Sequence, residues 1–203
     1  MRLRTVFATL SIVALTSACD RAGEAPPPQE PTPAAPATNA PQPEPAPDLR
    51  PAAAPCKGAQ LRLSNDGGDA GMGHRRAIIG VQNLGAQACS LTGYPSVRLE
   101  DAGGRALTTV RTDQHPDSYF RSGEAPTTVE LAPRVKAFFD LAWTVIPNEA
   151  QGEQVCPSAA DILMTPPGDA SPATLAQTFT ACGGRIEVSP FRPVAEPEPA
   201  PAT

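Results

Sequence analysis

The chain has 203 residues, a formal net charge of -5, 26 prolines, five cysteines and only 4% aromatic residues. That length suits one folded domain plus unstructured flanks, since a domain takes about 150 residues. No Lys/Arg cluster is interleaved with aromatics, which argues against a nucleic-acid partner.

The N-terminus reads MRLRTVFATLSIVALTSAC. Arg2 and Arg4 form a basic start, and Val6 to Leu15 form an apolar run too short to span a bilayer. Small residues Ser17 and Ala18 precede Cys19. This pattern predicts a secretory signal over 1–18. It resembles the bacterial lipoprotein lipobox, although Leu15 stands four residues before the cysteine and Thr16 occupies the usual Leu place. The resemblance implies lipid on Cys19, which anchors the chain to a membrane without a spanning helix. Asp20 follows it, a placement that in enteric-type lipoproteins favours the periplasmic face of the inner membrane. No later stretch has the ~18 apolar residues a span requires.

Residues 19–55 carry a proline every two or three positions and no aromatic. Proline fixes φ and removes a backbone donor, so neither helix nor sheet is expected there. The segment reads as a disordered Pro/Ala-rich linker, extended by up to ~3.1 Å per residue. A spacer between membrane and domain is the simplest role; a PxxP-type ligand or a wall-spanning rod is the sharper one. Residues 192–203 are again rich in Pro and Glu and read as a disordered tail.

Between these flanks, residues 56–191 alternate with period two, the pattern of half-buried strands. Leu61 and Leu63, then Val97 and Leu99, Val129 and Leu131, and Ile186 and Val188 each alternate with polar neighbours. Further strands are expected at 74–83, 160–165 and 173–180. The longest run is 134–146, with Val135, Ala137, Phe139, Leu141, Trp143 and Val145 on one face and Arg134, Lys136, Asp140 and Thr144 on the other. It reads as the central core strand. The glycine-rich NDGGDAGMG, starting at Asn65, reads as the loop joining the first two strands. No window shows a 3.6-residue period, so seven to nine short strands predict an all-β antiparallel sandwich.

Cys56, Cys89, Cys156 and Cys182 remain after Cys19. An even count in an exported chain predicts two disulfides. Cys56 and Cys89 bracket the first expected hairpin, and Cys156 and Cys182 bracket the hairpin around TPPGDAS. Antiparallel pairing would therefore join Cys56 to Cys89 and Cys156 to Cys182.

Several strings together resemble a bacterial family, domain of unknown function 4232. They are GMGHRR at 71–76, QNLGAQACSLTGYPSVRL at 82–99 and VELAP at 129–133, with Cys56, Cys156 and Cys182. The most specific is Asn83 to Pro95, N-x-G-x-x-x-C-x-L-x-G-Y-P. The resemblance implies an exported or lipid-anchored protein and an immunoglobulin-like sandwich, and it carries no catalytic residues. A glycine commonly follows the proline of VELAP in that family; here Arg134 stands in its place. Independently of the family, Asn83 suits a hydrogen bond to backbone in the following turn, and Gly71 and Gly73 suit positive φ.

Candidate chemistry is sparse. His74 and His115 are the only histidines. Asp66, Asp69 or Asp113 would complete a metal site, but no ligand spacing supports one. There is no G-x-S-x-G elbow, no CxxC pair and no EF-hand spacing in NDGGDAGMG. The expectation is a non-catalytic envelope module, without cofactor or metal, held to a membrane through Cys19. It would bind an envelope protein, a glycan or a cell-wall polymer. The alternative is an exported enzyme or metal-dependent factor with a site around His74 or His115.

Overall fold

The computed structural model describes residues 51–123 and 125–196. The expected signal segment, Cys19, most of the expected linker and residues 197–203 of the expected tail lie outside the described residues. Ten strands are present among them: β1 Leu61–Gly71, β2 His74–Asn83, β3 Cys89–Thr92, β4 Ser96–Glu100, β5 Arg111–Gln114, β6 Thr128–Leu131, β7 Lys136–Thr144, β8 Ser158–Thr165, β9 Ala173–Thr180 and β10 Cys182–Val188. Helical structure among the described residues is limited to 3-10 turns at Gly58–Gln60 and Glu149–Gln151. Neither is long and apolar enough to cross a membrane.

The strands form a five-stranded sheet in the order β1-β2-β7-β10-β5, a three-stranded sheet β4-β8-β9 and the pair β3-β6. All pairs are antiparallel except β10 with β5, where Arg185 faces Arg111 in parallel register. The three sheets share one core. Ile79, Val81, Phe139 and Leu141 come from the large sheet, Leu91 and Leu131 from the pair, and Ile162, Met164 and Phe179 from the third sheet. The result is a two-layer β-sandwich, the usual way for sheets to bury one apolar face each. Phe139 meets Phe191 edge-on at 5.9 Å within it.

β7 is the central strand that the alternation predicts. Ala137, Phe139 and Leu141 are fully buried. Val135 is not on the core face: it is 48% exposed, because the chain is still turning at Arg134, whose φ is +69°. The glycine-rich segment after Asn65 also differs from its reading as a loop. β1 continues through it to Gly71, with a bulge between Asn65 and Gly68, and the connection is only Met72-Gly73. Glycine makes this possible. A Cβ at Gly68 would lie 2.0 Å from the Arg76 carbonyl oxygen of β2. The positive-φ turn residues are Met72 (+46°) and Gly73 (+82°); Gly71 is not among the positive-φ positions.

Both disulfides form as the strand order predicts, Cys56–Cys89 and Cys156–Cys182. They are those of an exported domain folded in an oxidising compartment. Order extends beyond both expected domain ends. Ser90 donates to the carbonyls of Ala53 (through Oγ, 3.0 Å) and Ala54 (through N, 2.8 Å), tying the end of the linker to β3. Arg192 pairs with Phe138 beside β7, and the chain then folds back as far as Glu196. The first residues of the expected tail are therefore part of the folded body.

Candidate functional site

Among the described residues, unusual side chains converge on the outer face of the five-stranded sheet. Residues two apart on a strand share a face. On β2 this face carries His74, Arg76 and Ile78, and the register sets them beside Thr144, Ala142 and Asp140 of β7. The loop after β5 folds back over them. It is shaped by short-range bonds: the Asp117 amide donates to His115 Nδ1 (3.1 Å), and the Gly123 amide to Asp117 Oδ1 (2.9 Å). Ser118 and Arg121 exchange both backbone bonds, at 2.9 and 3.3 Å.

The tip of that loop brings Tyr119 flat against His74, with ring centroids 4.1 Å apart and planes 5° from parallel. Phe120 meets Tyr119 edge-on at 5.1 Å. Between these rings and the sheet lies a cleft of about 60 Å³, bounded by Arg75, Ala142, Trp143, Thr144, Arg185 and Glu187. Trp143 packs against Phe179 at 4.5 Å. A ligand pocket for a drug-sized molecule is roughly 300–1,000 Å³. This cleft holds the volume of one small side chain. Two broader surface depressions, near Tyr94 and near Gly67, are far more open.

Deeper on the same face, Asp140 is buried among arginines. Its Oδ1 accepts from Arg192 Nη2 at 2.6 Å and its Oδ2 from Arg121 Nη1 at 3.1 Å, with Arg76 Nη1 at 3.6 Å. Arg76 also engages Asp69 and Glu196. Burial pulls the Arg76 guanidinium pKa down, but Asp140 and Glu196 outweigh it and the net shift is upward. For Arg192 burial wins over the attraction of Asp140, and the shift is downward. Ser189 Oγ accepts from the Asp140 amide at 2.8 Å and completes the network. These groups fasten the loop (Arg121) and the chain end (Arg192, Glu196) onto the sheet.

The two histidines have different places. His74 belongs to the aromatic cleft; His115 begins the overlying loop and is exposed. The acids that could complete a metal site with them are engaged elsewhere: Asp66 with Lys136 at 2.7 Å, Asp69 with Arg76, and Asp113 with Arg111 at 3.2 Å. Among the described residues the one cluster with metal-like spacing is Glu153, Cys156 and Cys182. Its two sulfurs are bonded to each other and so are not thiolate ligands. Glu153 instead accepts from the amides of Asn148 and Gly183, both at 2.8 Å, which lowers its pKa.

Asn83 does more than the turn role its position suggests. It is fully buried, donates to the Gln87 and Leu131 carbonyls at 2.8 and 2.9 Å, and accepts from the Gly85 amide at 2.8 Å. It thereby joins the turn after β2 to β6 of the opposite layer.

A family model spans this architecture. The chain belongs to the family described as Domain of unknown function (DUF4232). The match covers residues 56–192, and so ends on the arginine that closes over Asp140. A comparison with curated proteins finds no match. Asn83, the bracketing cysteines and the VELAP turn of this DUF4232 domain hold the two layers together; Tyr119, Asp140 and two of the three arginines, Arg121 and Arg192, belong to none of the strings that carry the resemblance.

Proposed function

We propose that this protein is a bacterial cell-envelope lipoprotein, anchored through lipid on Cys19, whose β domain binds a partner without catalysing a reaction. The binding surface is the His74–Tyr119 cleft. Its size carries the reading: about 60 Å³ admits a protruding side chain and does not enclose a substrate. The surroundings suit contact with another macromolecule. Tyr119, Ile146 and Met72 are each more than half exposed, and Ile146 lies against Gly73, next to both Met72 and His74. Exposed apolar groups gathered at one end of a domain mark interaction sites. Residues 19–55 serve as the spacer that lifts this end away from the membrane, on the periplasmic face of the inner membrane if Asp20 acts as a retention signal. An envelope protein is the partner that fits best, with a glycan or wall polymer as the other outcome of the test.

The test is photo-crosslinking in cells from position 119, with position 98 on the three-stranded sheet as control. Adducts from 119 and none from 98 are expected. Cys19→Ser should abolish labelling by a fatty-acid analogue and release the protein from the membrane fraction. Retained labelling refutes the anchor. Turnover of a substrate that is lost in His74→Ala, with the fold intact, refutes the non-catalytic reading.

A further inference from the structure

One cluster of donor atoms takes no part in the cleft. A carboxylate oxygen of Glu153 and the sulfurs of Cys156 and Cys182 lie within 4.8 Å of one another. Glu153 and Cys156 come from the segment between the 3-10 turn at Glu149–Gln151 and β8, and Cys182 opens β10. Glu153 is held in place by backbone. Its Oε2 accepts from the Asn148 and Gly183 amides, both at 2.8 Å, and so ties its segment to the residue after Cys182. Its other oxygen, Oε1, accepts no hydrogen bond among the described residues.

The two sulfurs are bonded to each other, and they become ligands only when that bond opens. Thiol–disulfide exchange requires access of an attacking thiolate to one sulfur. Cys56, Cys89 and Cys182 are at most 3% exposed, whereas Cys156 is partly exposed, next to the exposed Val155. A small dithiol reductant therefore opens Cys156–Cys182 before Cys56–Cys89. The backbone leaves room for the sulfurs to part. Two thiolates on one zinc ion stand about 3.8 Å apart, given Zn–S bonds of about 2.3 Å in tetrahedral geometry. Gly183 and Gly184 follow Cys182 at positive φ, and the β7–β10 ladder is broken between Cys182 and Glu187. Cys156 lies outside the strands.

We propose that reduction of the Cys156–Cys182 bridge creates a zinc site, with Cys156 Sγ, Cys182 Sγ and Glu153 Oε1 as ligands and water in the fourth position. The dithiol reductant is oxidised to its own disulfide, the protein S–S bond breaks, and each cysteine gains one hydrogen. Zinc then displaces one proton from each thiol, which leaves two thiolates and one carboxylate on one divalent cation. Thiolates favour zinc over magnesium and calcium, which prefer oxygen donors. Reoxidation restores the bridge and releases the metal, so zinc occupancy follows the thiol–disulfide balance around the domain. The site is independent of any partner at the His74–Tyr119 cleft.

The experiment uses the chain from Cys19 onward carrying Cys19→Ser, so that the four cysteines left are those of the two bridges. Dithiothreitol is applied without denaturant, and alkylation with peptide mapping identifies the bridge that opens. Zinc binding is measured by competition with a chromophoric chelator, and cadmium is added in parallel for its thiolate absorption in the ultraviolet. Trp143 fluorescence reports whether the fold is kept. One zinc per reduced chain, none on the oxidised chain and a cadmium–thiolate band are expected. Glu153→Gln should weaken zinc binding by roughly tenfold or more. Cys156→Ser should abolish it, which separates this site from any binding at His74 or His115. A reduced, folded chain that takes up no zinc overturns the proposal, as does equal uptake in Cys156→Ser. Opening of Cys56–Cys89 in place of Cys156–Cys182 also overturns it, and so does a loss of fold on reduction that zinc fails to restore. Unweakened binding in a folded Glu153→Gln variant overturns the three-ligand site.

Discussion

Asp140→Asn is the sharpest perturbation of this fold. The carboxylate side chain is 3% exposed, and the arginines facing it, Arg76, Arg192 and Arg121, are 6%, 9% and 16% exposed. Asparagine keeps the shape and one acceptor oxygen, so it leaves no cavity. What it removes is the single negative charge on which three guanidinium groups converge. Breaking a buried ion pair by deleting one partner costs about 3–5 kcal/mol; Arg76 keeps Asp69 and Glu196, so the charges left desolvated and uncompensated are Arg192 and Arg121. For a domain of this size that is roughly 10 °C in melting temperature. Urea unfolding followed through Trp143, the sole tryptophan, measures it. Asp101→Asn is the control, since the side chain of its partner Arg105 is almost wholly exposed. Such surface pairs contribute ~1 kcal/mol or less. The local chain end should also loosen, with faster amide exchange at Arg192, because that residue, like Arg121, is held by Asp140. A loss below about 1 kcal/mol, equal to that of the control, would falsify the claim that the network fastens loop and chain end to the sheet.

Arg134→Gly should stabilise the domain by about 0.5–1 kcal/mol in the same urea assay, because glycine relieves the strain of a left-handed backbone; a loss of stability refutes this. Asn83→Ala should destabilise it by ~3 kcal/mol, since it leaves the Leu131 and Gln87 carbonyls and the Gly85 amide without their partner; a change within experimental error would show that these groups find other partners. Opening either disulfide with a Cys→Ser pair should lower stability by about 3–4 kcal/mol. The partners stand 33 and 26 residues apart in the two bridges, and peptide mapping that recovers other pairs would overturn the assignment. The carboxyl pKa values of Asp66, Asp101, Glu153 and Asp169 are all lowered in the fold. For Asp66 burial acts upward, but the hydrogen bonds from Lys136 and Ser64 outweigh it; for Asp101, Glu153 and Asp169 backbone amides are the leading cause. Groups with a depressed folded pKa contribute stability that is full above the unfolded value and lost as pH falls through the folded one. The melting temperature should therefore hold from neutral pH down to about pH 5 and drop below the ordinary values of 3.8 for Asp and 4.5 for Glu; a flat profile to strongly acid pH contradicts this.

Local periodicity made much of the fold legible. The alternation in 136–144 set Ala137, Phe139 and Leu141 inward, because strand side chains must point to opposite faces and only one face of this sheet meets the other layer. The same strand order placed each cysteine opposite its partner, since antiparallel neighbours bring the outer ends of a hairpin together. Arg134 replaces the glycine usual after VELAP, which suggested a different turn, yet its backbone takes the left-handed conformation that glycine favours. The glycine-rich stretch misled, because NDGG reads as a loop from composition while its glycines serve a bulged strand pressed against the Arg76 carbonyl. Of the candidate site, the sequence singled out only His74. His74, Tyr119, Asp140 and Arg192 stand far apart along the chain, and no local pattern links them. Asp140 looked like an ordinary polar position on the outward face of a strand. It is buried only because a loop and the chain end fold over that face, and they do so because three distant arginines find in Asp140 the counter-charge that their burial demands.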